Sequence, residues 1–237
     1  MLRLDKYLAD CGVGTRSEVK KYLRAGRVSV NGSVCTKPET KIDPEQADVT
    51  FDGRHLRYRR FAYYMLHKPA GVITATEDTR HRTVLDLLED VPDSNLSPVG
   101  RLDIDTEGLL LITNDGALAH ELLSPAKHVE KTYLCRLAVP ATEQDAEAFA
   151  EGIVLEDGTR CRPALCEILP DGALVTITEG KYHQVKRMWA ARDNEVRYLK
   201  RLSMGPLVLP DDLPAGAYRE LTPEELHQLK DRDYARE

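Results

Sequence analysis

The chain has 237 residues, 42% hydrophobic and 30% charged, with 15 glycines and 13 prolines, which suits a sizeable core in one domain or two. No apolar run approaches the ~20 residues that cross a membrane, and "MLRLDKYLAD" alternates charge with leucine where a signal peptide carries its apolar core. The expected location is therefore the cytoplasm, with no membrane partner. Five cysteines (11, 35, 135, 161, 166) form no CxxC pair, so reduced, mostly buried thiols are expected in place of a disulfide framework or a metal centre.

The net charge is −6, but it is unevenly spread. Residues 1–60 hold 13 Lys and Arg against 8 Asp and Glu, a surplus of +5 that leaves −11 for the rest. A cationic head on an acidic body suggests an attached nucleic-acid-binding module. Within the head, "RLDKYLADC" places Leu4, Leu8 and Cys11 on one helical face. After the "GVG" break, "TRSEVKKYLRAG" opens with Thr15 and Glu18 in capping-box relation and closes at Gly26, a C′ glycine. Val19 and Leu23 face inward, leaving Arg16, Lys20, Lys21 and Arg24 for the outside, with Arg27 following. "RVSVNG" predicts a short strand into an Asn31-Gly32 hairpin turn, with "SVCTKPETKI" returning as its partner.

A solvated face is the commonest reason for such a charge run. The stretch "LDKYLADCGVGTRSEVKKYLRAGRVSVNG" nevertheless resembles an S4 RNA-binding module in its leucine pattern, helix-flanking arginines and "VNG" turn. The resemblance implies that Arg16, Lys20, Lys21, Arg24 and Arg27 contact structured RNA through phosphates and shape.

"DGRHLRYRRF" (52–61), basic and aperiodic, reads as a linker, so that domains are expected at 1–60 and 61–237. Beyond it, "AYYML" predicts a strand running into a Lys68-Pro69-Ala70-Gly71 turn. "TVLDLLEDV" (83–91) predicts a short helix, "GLLLITNDG" a strand and hairpin turn, and "ALAHELLSP" a helix ended by Pro125. "KTYLCRLAV" (131–139) alternates as a strand, and "TEQDAEAFAEGI" reads as a capped helix. "CRPALCEILPDGALVTITEG" predicts paired strands around Asp171-Gly172, and "YHQVKRMWAARD" sets Val185, Met188, Trp189 and Arg192 at helical spacing. A final helix starts at Thr222-Pro223. Strands outnumber helices without strict βαβ alternation, so the fold class is α+β: a small α/β head and a larger domain whose mostly antiparallel mixed sheet is flanked by helices.

For chemistry, the chain lacks GxxxxGK[ST], GxGxxG, HExxH and GxSxG, the parts that an ATPase, a dehydrogenase, a zinc hydrolase and a serine hydrolase require. It does carry "GRLDIDTEGLLLITNDG", with Asp103 and Asp105 two residues apart before an apolar run. In an extended segment they project to the same side, about 6.6 Å apart. Such a pair fits a glycosidase, though one Trp and three Phe offer few sugar platforms, and the Asp- and Thr-rich pattern equally fits a plain turn.

The same segment resembles the signature of the pseudouridine synthases, in the RsuA-type branch that acts on ribosomal RNA. "YMLHKPAGV", "EKTYLCRL" and "EGKYHQVKRMWAA" stand in that family's order, and with the S4-like head the likeness covers nearly the whole chain. It implies a cofactor-free, metal-free isomerisation of uridine. Asp103 is the implied essential carboxylate and Lys186 its basic partner. Tyr133 would stack on the flipped uracil and Val185 pack against its edge, and Arg101 would fill the space that the nucleotide leaves. Lys68, as an RNA contact, and Gly71 are implied at the rim, and Asp105 is left to the loop's structure. "YHQVKRM" and "GRLDIDT" point to a small-subunit enzyme, with the 516-type uridine of 16S rRNA, free or in an assembling subunit, as target; a monomer is the default acting form. A synthase for 23S rRNA and a non-catalytic S4-type assembly factor are the alternatives.

Overall fold

A computed structural model of the chain describes residues 1–231 except 57, 90 and 92. It divides into two compact units, one of Met1–Ala62 with Glu89–Leu96 and one of Tyr63–Leu88 with the described chain from Ser97.

In the first unit, strand β1 (Leu2–Arg3) leads into helix α1 (Leu4–Asp10), and helix α2 spans Arg16–Arg24. The Thr15 hydroxyl accepts from the Glu18 amide while the Glu18 carboxylate accepts from the Thr15 amide, so α2 begins at the capping box its sequence spells. Gly26, at φ +72°, ends it. Leu4, Leu8, Val19 and Leu23 are fully buried and form one core with Val28, Ile42 and Val49. Strands β2 (Val28–Val30) and β3 (Ser33–Val34) pair across Asn31-Gly32, both at positive φ, as the hairpin reading requires.

Two readings of this region are corrected. The returning strand stops at Val34, and β4 (Lys41–Ile42) pairs with β1 instead of β2. Nor is 52–61 a linker throughout: β5 (Val49–Phe51) turns at Asp52-Gly53 into β6 (Arg54–Leu56), making the sheet order β3-β2-β5-β6. Arg54 and His55 on this edge strand are exposed, which hides its pairing from a sequence reading; position 57 lies outside the described residues.

The second unit is built on a sheet of nine strands among the described residues. Its path runs β11 (Leu165–Leu169), β12 (Gly172–Ile177), β10 (Lys131–Leu137), β13 (Val196–Met204), β9 (Glu107–Thr113), β7 (Tyr63–Lys68) and β15 (Tyr218–Glu220). The short strands β8 (Ser97–Pro98) and β14 (Leu207–Val208) pair with β9 and β13. Every pairing is antiparallel except β13 with β9, so the mostly antiparallel α+β expectation is met. At that parallel contact a Cβ on Gly108 would lie 2.2 Å from the Arg201 carbonyl oxygen, so only glycine lets the two backbones meet.

Helices α3 (Gly116–Leu123), α4 (Glu143–Glu151), α5 (Gln184–Ala190) and α6 (Pro223–Lys230) complete the unit. Trp189 of α5 is fully buried, its ring 4.8 Å from that of Phe149 on α4, which anchors a short helix that its own hydrogen bonds would not hold. The "NDG" hairpin is replaced by a helix start: Asp115 accepts from the Leu118 amide and from the Tyr63 hydroxyl, since Asp caps a helix as readily as it makes a turn. The 83–91 helix shrinks to a single 3-10 turn at Leu85–Leu87, because the Val84 amide is bonded to the Ile73 carbonyl; position 90 lies outside the described residues, as do 232–237. Among the described residues no helix is long and apolar enough to cross a membrane.

Candidate active site

The second unit carries an open cleft lined among others by Arg101, Asp103, Tyr133, Val185, Leu199 and Arg201. Its rim is the loop between β8 and β9, which enters the sheet at buried strand β9. The main chain of this loop is held tightly. The Thr74 hydroxyl donates to the Leu102 carbonyl at 2.7 Å and accepts from the Leu102 amide at 3.1 Å, and the Gly71 amide donates to the Ile104 carbonyl at 2.7 Å. The Lys68 ammonium donates to the carbonyls of Asp103 and Thr106, each at 2.9 Å, and to those of Pro69 and Ile104 at 3.1 and 3.4 Å.

Lys68 is therefore not at the rim. It is fully buried and cannot touch RNA, so its expected role as an RNA contact is corrected to that of a clamp on the loop. Burial pulls its pKa down to about 8, against the opposite pull of Asp105 and Asp103.

Helix α5 faces this loop. Lys186 lies 3.0 Å from Asp103 Oδ2 and 2.6 Å from Asp105 Oδ1. Burial opposes the Lys186 charge, but the hydrogen bonds to Asp105 and Asp103 outweigh it and hold the ammonium above its ordinary range. The bond from Lys186 in turn holds the Asp105 carboxyl below its ordinary range. Asp105 thus shares the cation with Asp103, a role beyond the loop structure expected of it. The start of α5 is shaped by Gln184, whose side chain accepts from the Lys181 amide and donates to Glu179. That turn sets His183 in left-handed backbone at φ +48°, with its Nε2 at 3.4 Å from Asp103 Oδ1.

Tyr133, Val185 and Arg101 all line the same cleft as Asp103, with Arg101 exposed and the other two buried. The sequence did not single out His183, Lys131 or Arg201, which line it too; the "EGKYH" segment carries the only signal for the first. In the other unit Arg16, Lys20, Lys21 and Arg24 are exposed along α2. Arg27 differs from them: its guanidinium bonds Asp52 and lies over the Tyr22 and Phe51 rings at 4.6 and 4.7 Å. It is committed to its own unit before any RNA arrives.

Residues 62–191, more than half of the chain, match the family described as RNA pseudouridylate synthase. The chain belongs to the RNA pseudouridylate synthase family. Residues 2–48 of this pseudouridine synthase match the S4 domain. The chain is 48% identical to the uncharacterized RNA pseudouridine synthase YtzG of Bacillus subtilis, covering 97% of this chain and 99% of that protein. It is 42% identical to the ribosomal small subunit pseudouridine synthase A of Escherichia coli K12, over 95% of this chain and 98% of the relative. Among solved structures, a crystal structure of pseudouridylate synthase superposes with a TM-score of 0.68 at 40% identity, covering 97% of this chain and all of that one.

Proposed function

We propose that this pseudouridine synthase isomerises one uridine of 16S rRNA, in the free RNA or an assembling small subunit, and that Asp103 is its essential carboxylate. The observation that carries the reading is the Asp103 carboxylate, paired at 3.0 Å with Lys186 at the mouth of a cleft walled by Tyr133 and Val185. The identity to a ribosomal small subunit pseudouridine synthase over nearly the full length of both chains supports the choice of substrate.

The reaction breaks the bond between uracil and ribose, turns the base and rejoins it through carbon. Atoms are conserved and no electrons are exchanged with another molecule, so the protein must position, flip and stabilise. Extruding the target base costs a few kcal/mol. Tyr133 recovers part of this by stacking on the ring, Val185 packs against its edge, and Arg101, exposed at the cleft, fills the vacated place in the RNA. Lys186, 3.0 Å away, sets a positive charge beside the Asp103 carboxylate as the site closes over the base. Residues 1–60 form the RNA-holding part, with Arg16, Lys20, Lys21 and Arg24 meeting phosphates, and 61–237 the catalytic part. The acting form is proposed to be a monomer.

The test is single-turnover conversion of 16S rRNA and of small-subunit assembly particles, scored as pseudouridine formed. Asp103→Asn is expected to lose at least ~10³-fold in rate with RNA affinity retained. Conversion by the variant at the wild-type rate would remove Asp103 from the chemistry, and product in 23S rRNA instead of 16S would overturn the substrate.

A further inference from the structure

Two buried cations of the cleft have no part in the function proposed above. Lys131 is 8% exposed and Arg201 only 2%. Tyr133 on β10 sits directly opposite Arg201 on β13, and such cross-strand partners share a face of the sheet. Lys131, two residues before Tyr133, projects to that face as well. The Lys131 ammonium donates to the Val129 carbonyl at 2.8 Å, and Arg201 Nε to the Leu109 carbonyl at 2.8 Å. Arg201 Nη2 is buried with no partner, and neither cation forms an ion pair among the described residues. An unpaired buried guanidinium nitrogen is costly, and Arg201 is one of the residues that line the cleft with Asp103.

We propose that Arg201 and Lys131 form an oxygen-binding floor for the uracil ring, Arg201 donating to a ring carbonyl and the two cations together stabilising the negative charge the ring acquires. This rests on the uridine-isomerase reading. When the C1′–N1 bond breaks, its electron pair stays on the base and spreads onto the carbonyl oxygens. The ring returns a pair to form C1′–C5, and the proton then lost from C5 is balanced by one gained at N1. The charge is transient and internal to the reaction, so fixed cations act on the transition state more than on the bound substrate. The apolar neighbours Ile177, Val185 and Leu199 suit a flat ring better than a hydrated phosphate.

The experiment uses the full chain and the rRNA or particle on which the wild type forms pseudouridine, under single turnover at saturating substrate. Arg201→Met is expected to slow conversion by ~10²–10³-fold and Lys131→Met by ~10-fold or more, with Kd for RNA and its salt dependence unchanged. Arg201→Lys recovers part of the rate. Placing 2-thiouridine or 4-thiouridine at the target weakens the accepted bond, so one of the two slows the wild type but costs Arg201→Met nothing further. Should Arg201→Met fail to fold, Lys131→Met, which gives up one bond to a backbone carbonyl, carries the same comparison. Variants as fast as the wild type would overturn the inference, as would thio effects of full size in Arg201→Met. A saturated rate left intact while the salt slope falls by about one per residue would mean that the cations hold a phosphate, and would equally overturn it. A wild type that converts no uridine in any rRNA would instead overturn the function itself, and this inference with it.

Discussion

The two units of this chain use basic side chains in opposite ways. Along α2 the cations stand in water, carried by a helix whose apolar side, Val19 and Leu23, is buried. In the catalytic unit Lys68, Lys131 and Arg201 are inside, where each must find oxygen atoms to offset its lost hydration. An exposed cation is screened by salt and is cheap to lose, whereas a buried one fixes the position of whatever it touches. The contrast teaches that net charge is a poor guide to where positive charge sits: the acidic unit buries the cations that line or brace the candidate cleft.

The largest effect that would test this contrast belongs to Lys68. Lys68→Met strands the carbonyls around Asp103, each worth about 1–3 kcal/mol when left unsatisfied. The expected result is a drop of roughly 2–4 kcal/mol in urea-unfolding stability and a rate at saturating RNA at least ~10²-fold lower, with RNA affinity kept. A variant as active as the wild type would break the distinction between structural and solvated cations.

A second prediction concerns pH. Burial, with repulsion from Arg201, lowers the Lys131 pKa from 10.5 to about 8. Between about pH 8 and 10.5 the unfolded chain therefore binds more protons than the folded one, so the contribution of this group to stability rises with pH across that window. Relative to Lys131→Met, which cannot titrate, the wild type gains stability from pH 8 to 10.5; urea midpoints of the two proteins that keep a constant gap would contradict it. Over the same range, kcat/KM of the wild type falls as Lys68 and Lys131 discharge, opposite in sign to that gain.

Smaller effects are expected on the exposed side. Replacing Lys20, Lys21 and Arg24 together by alanine lowers the slope of log affinity against log salt by about 0.7–0.9 for each phosphate no longer neutralised, leaving the saturated rate and the melting temperature unchanged. Arg27→Ala sharpens the comparison within one unit: its guanidinium already serves Asp52 and two rings, so it should lower the melting midpoint slightly and move the salt slope less than any α2 residue.

How much of this was legible in the sequence follows the range of the interactions. The α2 capping box, the Asn31-Gly32 turn and the Thr222 start of α6 were readable because their partners lie within a few residues. The cleft's Asp103, Tyr133, Val185 and Lys186 were reached through resemblance, and the structure brings all four to one place. Strand β13 was not read at all, because Arg197, Lys200 and Arg201 interrupt its apolar alternation, and nothing local marks Arg201 as the one that turns inward. Lys68 looked like a rim lysine for a similar reason. Three of the carbonyls it binds lie 35–38 positions away in sequence, and only the completed sheet closes them around it.

That clamp has a consequence for how this enzyme can drift. Lys68 grips main-chain oxygens, which every residue type possesses, and the loop's other tethers to Thr74 and Gly71 also bond backbone atoms. The curve of the loop is thereby largely decoupled from its side chains: the exposed Ile104 and Arg101 can be exchanged while the Asp103 carboxylate stays where it is. A lineage could retune its target through this loop without rebuilding its reactive centre.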